Sequence, residues 1–415
     1  MNPASIFISI AAYREFDLPE TLRSLFTMAD DVSRLSVCIC WQRGADESLG
    51  EWADNPRIQL IDVPYRESRG VCWARHRIQQ EYRDERYFLQ LDGHHRCVAG
   101  WDTQLVDMLE GLRDAGVTRP VLTTYLPAFD PGNDPAGRSQ DLWLLGVDRF
   151  DDSGVLFMRP YIPVDSPESP VPTRFWSAHF SFSDGTLVRD VPIDPQGYFH
   201  GEEIGTCVRA WTSGYDFYSP HRTLLWHEYS RKGRRCHWDD HDNWMTRNGR
   251  ALSRYARLVG LDGVPRENFG RYGLGQERSL ADYERFAGVS FSKRHIEADT
   301  LAHLPPRRDH ESSEDSQAEP SEVTRIAAPH QATPARSPGW TSEQLDGELV
   351  LYNPDSTRAC YLNDTAALVW HLVDGARTTE DICTLLADAY AEVPDLASDI
   401  REVLVGLRAQ NAIVY

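Results

Sequence analysis

The residues best suited to do chemistry are Asp92-Gly93-His94, directly after the apolar run Tyr87-Phe88-Leu89-Gln90-Leu91. That run has strand composition and breaks abruptly, so a carboxylate and an imidazole sit just past a strand end, where an open α/β sheet keeps its ligands. One small residue between them lets both groups face a single divalent ion. Carboxylate plus imidazole suits Mn²⁺ (or Mg²⁺), and an ion there would neutralise a nucleotide diphosphate. The competing reading is a polar turn whose aspartate caps the next segment.

A further histidine, His227, ends the apolar segment Thr223-Leu224-Leu225-Trp226 and is followed by Arg231, Lys232, Arg234 and Arg235. A histidine at a second strand end would complete the shell of an ion, and the basic residues suit a pyrophosphate; a purely structural histidine is the alternative. Cys236 to Asp242 also offers ligand types, but contiguous residues rarely converge on one ion, and a solvated loop is expected there. Glu202 and Glu203 open a helix that runs to Trp211 and is closed by Gly214. Acids in a first turn complement the helix dipole whether or not they do chemistry. Arg75, in a helix beginning at Gly70-Val71, either faces the nucleotide or caps its own helix.

The elements that must position these groups follow a strand, helix, strand rhythm. Ser5 to Ala12, Leu35 to Trp41 and Ile58 to Val63 are short apolar runs expected to be strands buried on both faces of a parallel sheet. Between them, Pro19 starts a helix with Leu22, Leu25 and Phe26 on one side, and Gly70 to about Tyr82 forms another. Trp101-Asp102 opens a helix whose Leu105, Met108, Leu109 and Leu112 recur at helical spacing and belong to a core. This is the pattern of a doubly wound α/β nucleotide-binding half without a Gly-rich phosphate loop. From Val121 a strand dissolves into Pro127 to Arg138, a loop long enough to be a lid or an acceptor-binding insert, and Phe175 to Phe182 reads as a later strand.

Composition bounds the partners. The 415 residues are 41% hydrophobic and 26% charged, ordinary for a globular chain of two or more domains. A formal net charge of −20 excludes a nucleic-acid partner and leaves room only for local basic clusters. No stretch is long and apolar enough to span a membrane, no basic n-region precedes the first strand, and no Cys-x-x-Cys pair occurs among the eight cysteines. A cytoplasmic protein with free thiols and no membrane partner is expected, with Cys38 and Cys40 in the core.

Residues 305 to 338 are rich in Pro, Ser, acids, Ala and Arg with almost no aliphatic content and read as a disordered tether. Residues 340 to 415 form a separate small domain. Two strands, Gly347 to Tyr352 and Arg358 to Leu362, flank a turn at Asn353-Pro354-Asp355-Ser356. Asn363 caps a helix through Leu368, Trp370 and Leu372; Thr378 and Asp381 form the capping box of a second; Pro394 starts a third that buries Leu396, Ile400, Val403, Leu404 and Leu407. Ile413-Val414-Tyr415 is a final strand or wing. Thirteen acids against four arginines exclude DNA binding here, whereas an exposed strand beside a helix is a peptide-binding edge.

Two resemblances cover nearly the whole chain apart from the tether. Ile6 to Arg14, Gly70-Val71-Cys72-Trp73-Ala74-Arg75, Gln90 to His94, Trp101-Asp102, Gly201-Glu202-Glu203 and Trp211 to Asp216, in this order, resemble the cytosolic N-acetylglucosaminyltransferases that modify hydroxyproline on a ubiquitin-ligase adaptor. Gly347 to Pro354, Tyr361-Leu362-Asn363, Ala366 to Trp370 and Asp374-Gly375 are similar to PqqD-type domains, which bind leader peptides of ribosomally made, modified peptides.

The first resemblance implies an α/β fold of GT-A type, a UDP-sugar donor, a divalent metal held by Asp92 and His94, and retention at the anomeric carbon. By similarity to the mucin-type transferases, His227 would be the third ligand. Ser usually stands where this chain has Gly93. Within that frame Tyr13 and Arg14, at the first strand end, are candidates for the uridine, and Arg75, Asp92, Arg231 and Lys232 for the rest of the nucleotide. Glu203, or else Glu202, would position the acceptor hydroxyl or support the oxocarbenium ion. The absence of an obvious nucleophile fits front-face attack, with the leaving phosphate helping to deprotonate the acceptor. The second resemblance implies a small winged-helix-like domain whose edge, Arg358, Ala359, Cys360, Tyr361 and Leu362, takes the leader as an added strand. The expected organisation is therefore a glycosyltransferase domain at 1–304, a linker at 305–339 and a leader-recognition domain at 340–415. Together they make a peptide glycosyltransferase acting on a side-chain hydroxyl of a tethered precursor, the sugar being N-acetylglucosamine or a related hexose. The alternatives are a transferase for a folded protein carrying hydroxyproline or Ser/Thr acceptors, and a non-catalytic peptide-binding scaffold.

Overall fold

The computed structural model describes residues 4–230, 234–306, 333–345, 348–353, 358–362, 364–389, 396–409 and 412–414. The chain divides into two compact units, Met1–His310 and Glu311–Tyr415.

In the first unit β1 (Ile6–Tyr13), α1 (Leu18–Met28), β2 (Leu35–Arg43), β3 (Ile58–Pro64), α2 (Val71–Gln79) and β4 (Tyr87–Leu91) follow one another as the apolar runs predict. Next come β5 (His95–Cys97), α3 (Trp101–Asp114), β6 (Pro120–Thr123), the hairpin β7 (Leu144–Phe150) and β8 (Leu156–Tyr161), β9 (Val171–Pro172), β10 (Phe180–Asp184) and α4 (Leu187–Asp190). The unit ends with α5 (Glu202–Thr212), β11 (Asp216–Ser219), β12 (Leu225–His227), α6 (His237–Asp240), α7 (Trp244–Val259), α8 (Leu280–Ala287), β13 (Val289–Ser290), β14 (His295–Ile296) and α9 (Ala298–Leu301).

One eight-stranded sheet of order β3-β2-β1-β4-β10-β6-β11-β9 carries the unit. Its first four strands are parallel, and β10 runs antiparallel to β4 and β6 on either side, giving a mixed α/β sheet. Alternation along β1 explains the layers. Phe7 joins Cys38, Cys40, Ala74 and Ile78 under α2, while Ile6, Ile8 and Ile10 join Leu18, Leu22, Leu25, Trp101 and Leu105 under α1 and α3. Fully burying such side chains contributes roughly 1.5–3 kcal/mol each, so both faces of the parallel half are committed and only its carboxyl ends are left to hold a ligand. Cys38, Cys40, Cys72, Cys97, Cys207 and Cys383 are free thiols.

Three assignments need correction. Only the last part of Phe175 to Phe182 is strand; residues 175–179 bend beneath the site, where Ala178 donates its N–H to Glu203 and accepts from Gln90. Pro127 to Arg138 is not a lid: Pro127 accepts from the His227 N–H at 3.0 Å, Phe129 donates to the His227 carbonyl at 3.3 Å, and Asp134 binds Arg96. Cys236 to Asp242 is not a solvated loop, because α6 starts there behind a capping box of Cys236 and Asp239 and packs against Tyr13.

The second unit holds a three-stranded antiparallel sheet of order β16 (Thr341–Leu345), β17 (Glu348–Asn353) and β18 (Arg358–Leu362), so β18 is an edge. β16 is an addition to the expected hairpin; its polar Thr341-Ser342-Glu343-Gln344 gave no apolar run to detect. Against it pack α10 (Asp364–Leu372), α11 (Thr379–Ala389) and α12 (Leu396–Ala409), with Leu351, Val369, Trp370, Ile382, Ile400 and Leu404 in the core. The capping box forms as expected: Thr378 Oγ1 accepts from the Asp381 N–H and Asp381 from the Thr378 N–H. β15 (Ala335–Arg336), within the stretch assigned to the tether, pairs with β19 (Ile413–Val414) and so belongs to this unit. The remainder of the tether over 307–332, Gly347, the turn Pro354 to Ser356, the Asn363 cap, the Pro394 start and Tyr415 lie outside the described residues. None of the described helices is long and apolar enough to cross a membrane.

Candidate active site

Pairing between two short strands assembles the site. β4 delivers Asp92 to the end of the parallel half, the chain turns through Gly93 and His94 into β5, and β12 pairs antiparallel with β5 so that His227 lies opposite His95. Asp92, His94 and His227 thereby converge, with one ligand atom from each within 4.8 Å of the others. His227 Nε2 is 3.5 Å and His94 Nε2 3.9 Å from Asp92 Oδ2.

Surrounding groups fix the three side chains. Glu15 is buried and pairs with His94 Nδ1 at 2.7 Å, which turns Nε2 toward Asp92. Glycine at position 93 follows from the same contact: a Cβ there would stand 2.7 Å from Glu15 Cγ. Burial, with His94 and Arg234 nearby, pulls the His227 imidazole down to about 4 despite Asp92, and neither ring nitrogen has a hydrogen-bond partner among the described residues. A neutral, buried imidazole with unsatisfied nitrogens beside a carboxylate fits a divalent cation better than an empty cleft. His179 stacks on that ring at 4.2 Å and Tyr229 meets it edge-on at 4.4 Å. Burial alone would raise the Asp92 carboxyl, but His227, Arg75 and His94 hold it well below the usual range.

Arg75 stands in the middle of α2 and does not cap it. Its buried guanidinium spans two carboxylates, reaching both oxygens of Glu202 and Oδ1 of Asp92 at 2.6 Å. Glu202 is thus committed to Arg75. Glu203 instead accepts from Tyr125 Oη at 2.6 Å and the Ala178 N–H at 2.8 Å, and burial pushes its carboxyl up to about 7 against those two donors.

These residues line one cavity of about 450 Å³, a size suited to a small-molecule ligand. Tyr13, Arg75, Asp92, His94, Glu202, Glu203 and His227 all contribute to it. Arg14 does not. Its backbone turns through φ 46°, and the guanidinium leaves the cavity to bind both oxygens of Asp240 at 3.1 Å and to lie 4.5 Å over Tyr65. Arg231 and Lys232 lie outside the described residues, whereas Arg234 and Arg235, two and three residues beyond Lys232, line the cavity. Tyr198 closes another wall, its ring so near Gly70 that a Cβ there would stand 2.7 Å away, at a φ of 107° that glycine alone adopts readily. Glu15, Tyr125, His179 and Tyr198 carried no local signal in the sequence, since each stands in a loop or turn whose partners are remote in the chain.

In the second unit Arg358, Ala359, Cys360, Tyr361 and Leu362 do form the edge strand β18, and Leu362 turns its side chain into the core.

The cluster lies at the carboxyl end of β4, where an open α/β sheet holds its ligands, and comparison with known proteins gives the family. The profile of the family Glycosyltransferase (GlcNAc) matches residues 5–55 and 51–293, and the chain belongs to that family. Residues 348–413 match Coenzyme PQQ synthesis protein D (PqqD), so the second unit is a PqqD domain. The chain is 40% identical over 52 residues to a PqqA binding protein of Pseudomonas savastanoi pv. phaseolicola (strain 1448A / Race 6), a match that covers 12% of this chain and 55% of the relative, about half of its length. Among solved structures, GalNAc-T7 with UDP, GalNAc and Mn²⁺ is similar over 87% of this chain and 67% of its own at 13% identity and a TM-score of 0.46. A lasso peptide synthetase B1 complexed with its leader peptide is 27% identical over 20% of this chain and 100% of its own, with a TM-score of 0.19.

Proposed function

We propose that the protein is a metal-dependent, retaining glycosyltransferase that moves a sugar from a UDP donor to a side-chain hydroxyl of a precursor peptide whose leader is captured by the PqqD domain. The observation that carries this reading is the convergence of Asp92, His94 and His227 in the wall of one cavity in a chain that joins a Glycosyltransferase (GlcNAc) domain to a PqqD domain.

Asp92, His94 and His227 would hold the ion, and a divalent cation there supplies charge neutralisation for a leaving diphosphate. Arg234 and Arg235 add positive charge on the same wall. Tyr13 and Tyr198 offer rings to the base and ribose, their hydroxyls being held by Asp240 and His237. Glu203, steadied by Tyr125 and Ala178, is the group we assign to orient the acceptor hydroxyl. Burial that raises its carboxyl to about 7 suits it to accept a hydrogen bond or a proton from that hydroxyl near neutral pH. β18 would receive the leader as an added strand through its backbone. Joining leader capture to the transferase raises the local acceptor concentration toward the millimolar range, so the cavity need not bind the core peptide tightly.

Thermal unfolding with UDP, with Mn²⁺, with both, and with both plus chelator tests the site. A ligand at a hundred times its Kd adds about 2.7 kcal/mol of stability. The expected result is a shift that needs UDP and metal together and disappears in Asp92→Asn, with leader binding retained. A full shift and full transfer by Asp92→Asn would remove the metal assignment.

A further inference from the structure

A second charged feature of the first unit lies outside the donor cavity. α7 buries Asn248, Ala251, Tyr255, Leu258 and Val259. Arg247, Arg250, Arg254 and Arg257 recur at intervals of three and four residues, which gathers them on another stripe of the same helix. With Arg69 and the turn Pro195 to Gly197 they line a separate cavity of about 520 Å³. Arg254 is paired with Asp194 at 2.5 Å and Arg257 with Glu267 at 2.9 Å. Among the described residues Arg69, Arg247 and Arg250 have no carboxylate within ion-pair distance. Arg247 donates to the Ser68 carbonyl at 2.9 Å, and Arg69 lies 5.8 Å over the Trp73 ring. Arg69, Arg250 and Arg257 are exposed.

Five arginines around one cavity reverse the local sign of a chain whose formal net charge is −20. Such a patch selects anions, and the guanidinium fork suits carboxylates two oxygens at a time. The surface also adjoins the donor cavity. Tyr198 lines both, and Arg69 immediately precedes Gly70 and Val71 of the donor wall. A long polyanion such as a nucleic acid would meet the acidic remainder of the chain beyond the patch, whereas a short run of carboxylates would not.

We propose that this arginine surface docks a carboxylate-rich segment of the acceptor peptide beside the donor cavity, an inference that rests on the peptide-acceptor reading above. The surface then selects acceptors by charge, separately from leader capture.

The test is fluorescence anisotropy with the full chain and labelled synthetic peptides of alternating Glu and Ser, Gln and Ser, or Lys and Ser. The Glu peptide is expected to bind about tenfold tighter than the Gln peptide at low salt, with the advantage fading as salt rises. In Arg69→Glu/Arg250→Glu the preference should invert toward the Lys peptide, while the UDP-dependent thermal shift reports that the variant is folded. If that variant does not fold, Arg250→Gln alone should cost the Glu peptide about threefold. Equal affinity for the Glu and Gln peptides, or a Glu preference untouched by charge reversal, overturns the proposal, as does a short DNA duplex that outcompetes the Glu peptide. Peptide discrimination in a chain that shows no UDP-dependent shift supports the anion surface and defeats the donor reading; a UDP-dependent shift without discrimination does the reverse.

Discussion

Replacing Arg75 by glutamine probes the electrostatic design of the site. The guanidinium is 3% exposed, contacts three carboxylate oxygens at 2.6 Å, and is the ion-pair partner of Glu202, itself 5% exposed. Removing it leaves the buried Glu202 beside the partly exposed Asp92 without a countercharge, a loss that costs about 3–5 kcal/mol when one member of a buried ionic cluster is deleted. For a domain of this size each kcal/mol moves Tm by roughly 2–4 °C, so a fall of about 6–12 °C is the lower expectation. The deficit should shrink on acidification, because burial already raises the Glu202 carboxyl and its protonation removes one of the two stranded charges. It should also shrink on adding Mn²⁺, since a cation at Asp92 replaces part of the lost countercharge. Differential scanning calorimetry of the chelated and Mn²⁺-loaded forms at about pH 7.5 and pH 5.5 reads both effects, the raised carboxyl being the more protonated at the lower pH. A chelated Arg75→Gln protein melting within about 2 °C of the parent, or one gaining no more from Mn²⁺ than the parent does, would refute the account.

Glu203→Gln tests the environment of the proposed acceptor-positioning group. Its carboxyl is raised to about 7 in the fold, so the native state holds a proton that the unfolded chain has released above its ordinary value of 4.5. Stability from this group is therefore present at low pH and lost as pH rises from about 4.5 to 7. In chelated protein the glutamine variant should lose that decline and gain stability over the parent at pH 8, at most about 3 kcal/mol; parallel pH profiles for the two would contradict the burial of the group. Gly93→Ser, which restores the residue usual in the resembled transferases, should cost about 1–3 kcal/mol because its Cβ meets Glu15 Cγ. Glu15→Ala in the same chain should relieve most of that cost, and additive effects in the double-mutant cycle would count against the contact. Ending the chain after residue 310, ahead of β15, should impair transfer to a full-length precursor far more than donor hydrolysis; equal losses in the two assays would contradict a recognition role for the second unit.

Much of this architecture can be read from the sequence because burial writes itself into local pattern. Tyr87 to Leu91 is a strand with the bounds its composition predicts, and Leu105, Met108, Leu109 and Leu112 are the buried face of α3 that their spacing predicts. Asp92, His94 and His227 are legible for a related reason, as polar groups placed where an apolar run stops. Legibility fails where a side chain takes its meaning from a remote partner. Arg14 follows a strand end as Tyr13 does, yet one left-handed residue sends it to Asp240 and out of the cavity. Arg75 is read as a candidate nucleotide ligand, and only the fold shows Asp92 and Glu202 on either side of it. Polar β16 offered no apolar run, and Cys236 to Asp242 became structure only through capping and contact with Tyr13.

The fate of Pro127 to Arg138 shows how such a remote partner can determine a site. A strand of only three residues, Leu225–His227, cannot by itself keep the register that points His227 at Asp92, since a slip of one residue turns every side chain to the opposite face. Two supports remove that freedom: β5 pairs it on one side with His227 opposite His95, and the 127–129 backbone brackets His227 by accepting its N–H and donating to its carbonyl. Arg96, from β5, binds Asp134 and Asp17, which ties the loop back to the strand it supports and to the start of α1. The three ligand atoms are thus held by backbone pairing and buried ion pairs that do not require an ion. A donor bound at such a preformed triad would forgo the cost of ordering it, so no conformational response to UDP and metal is expected in the Asp92 turn.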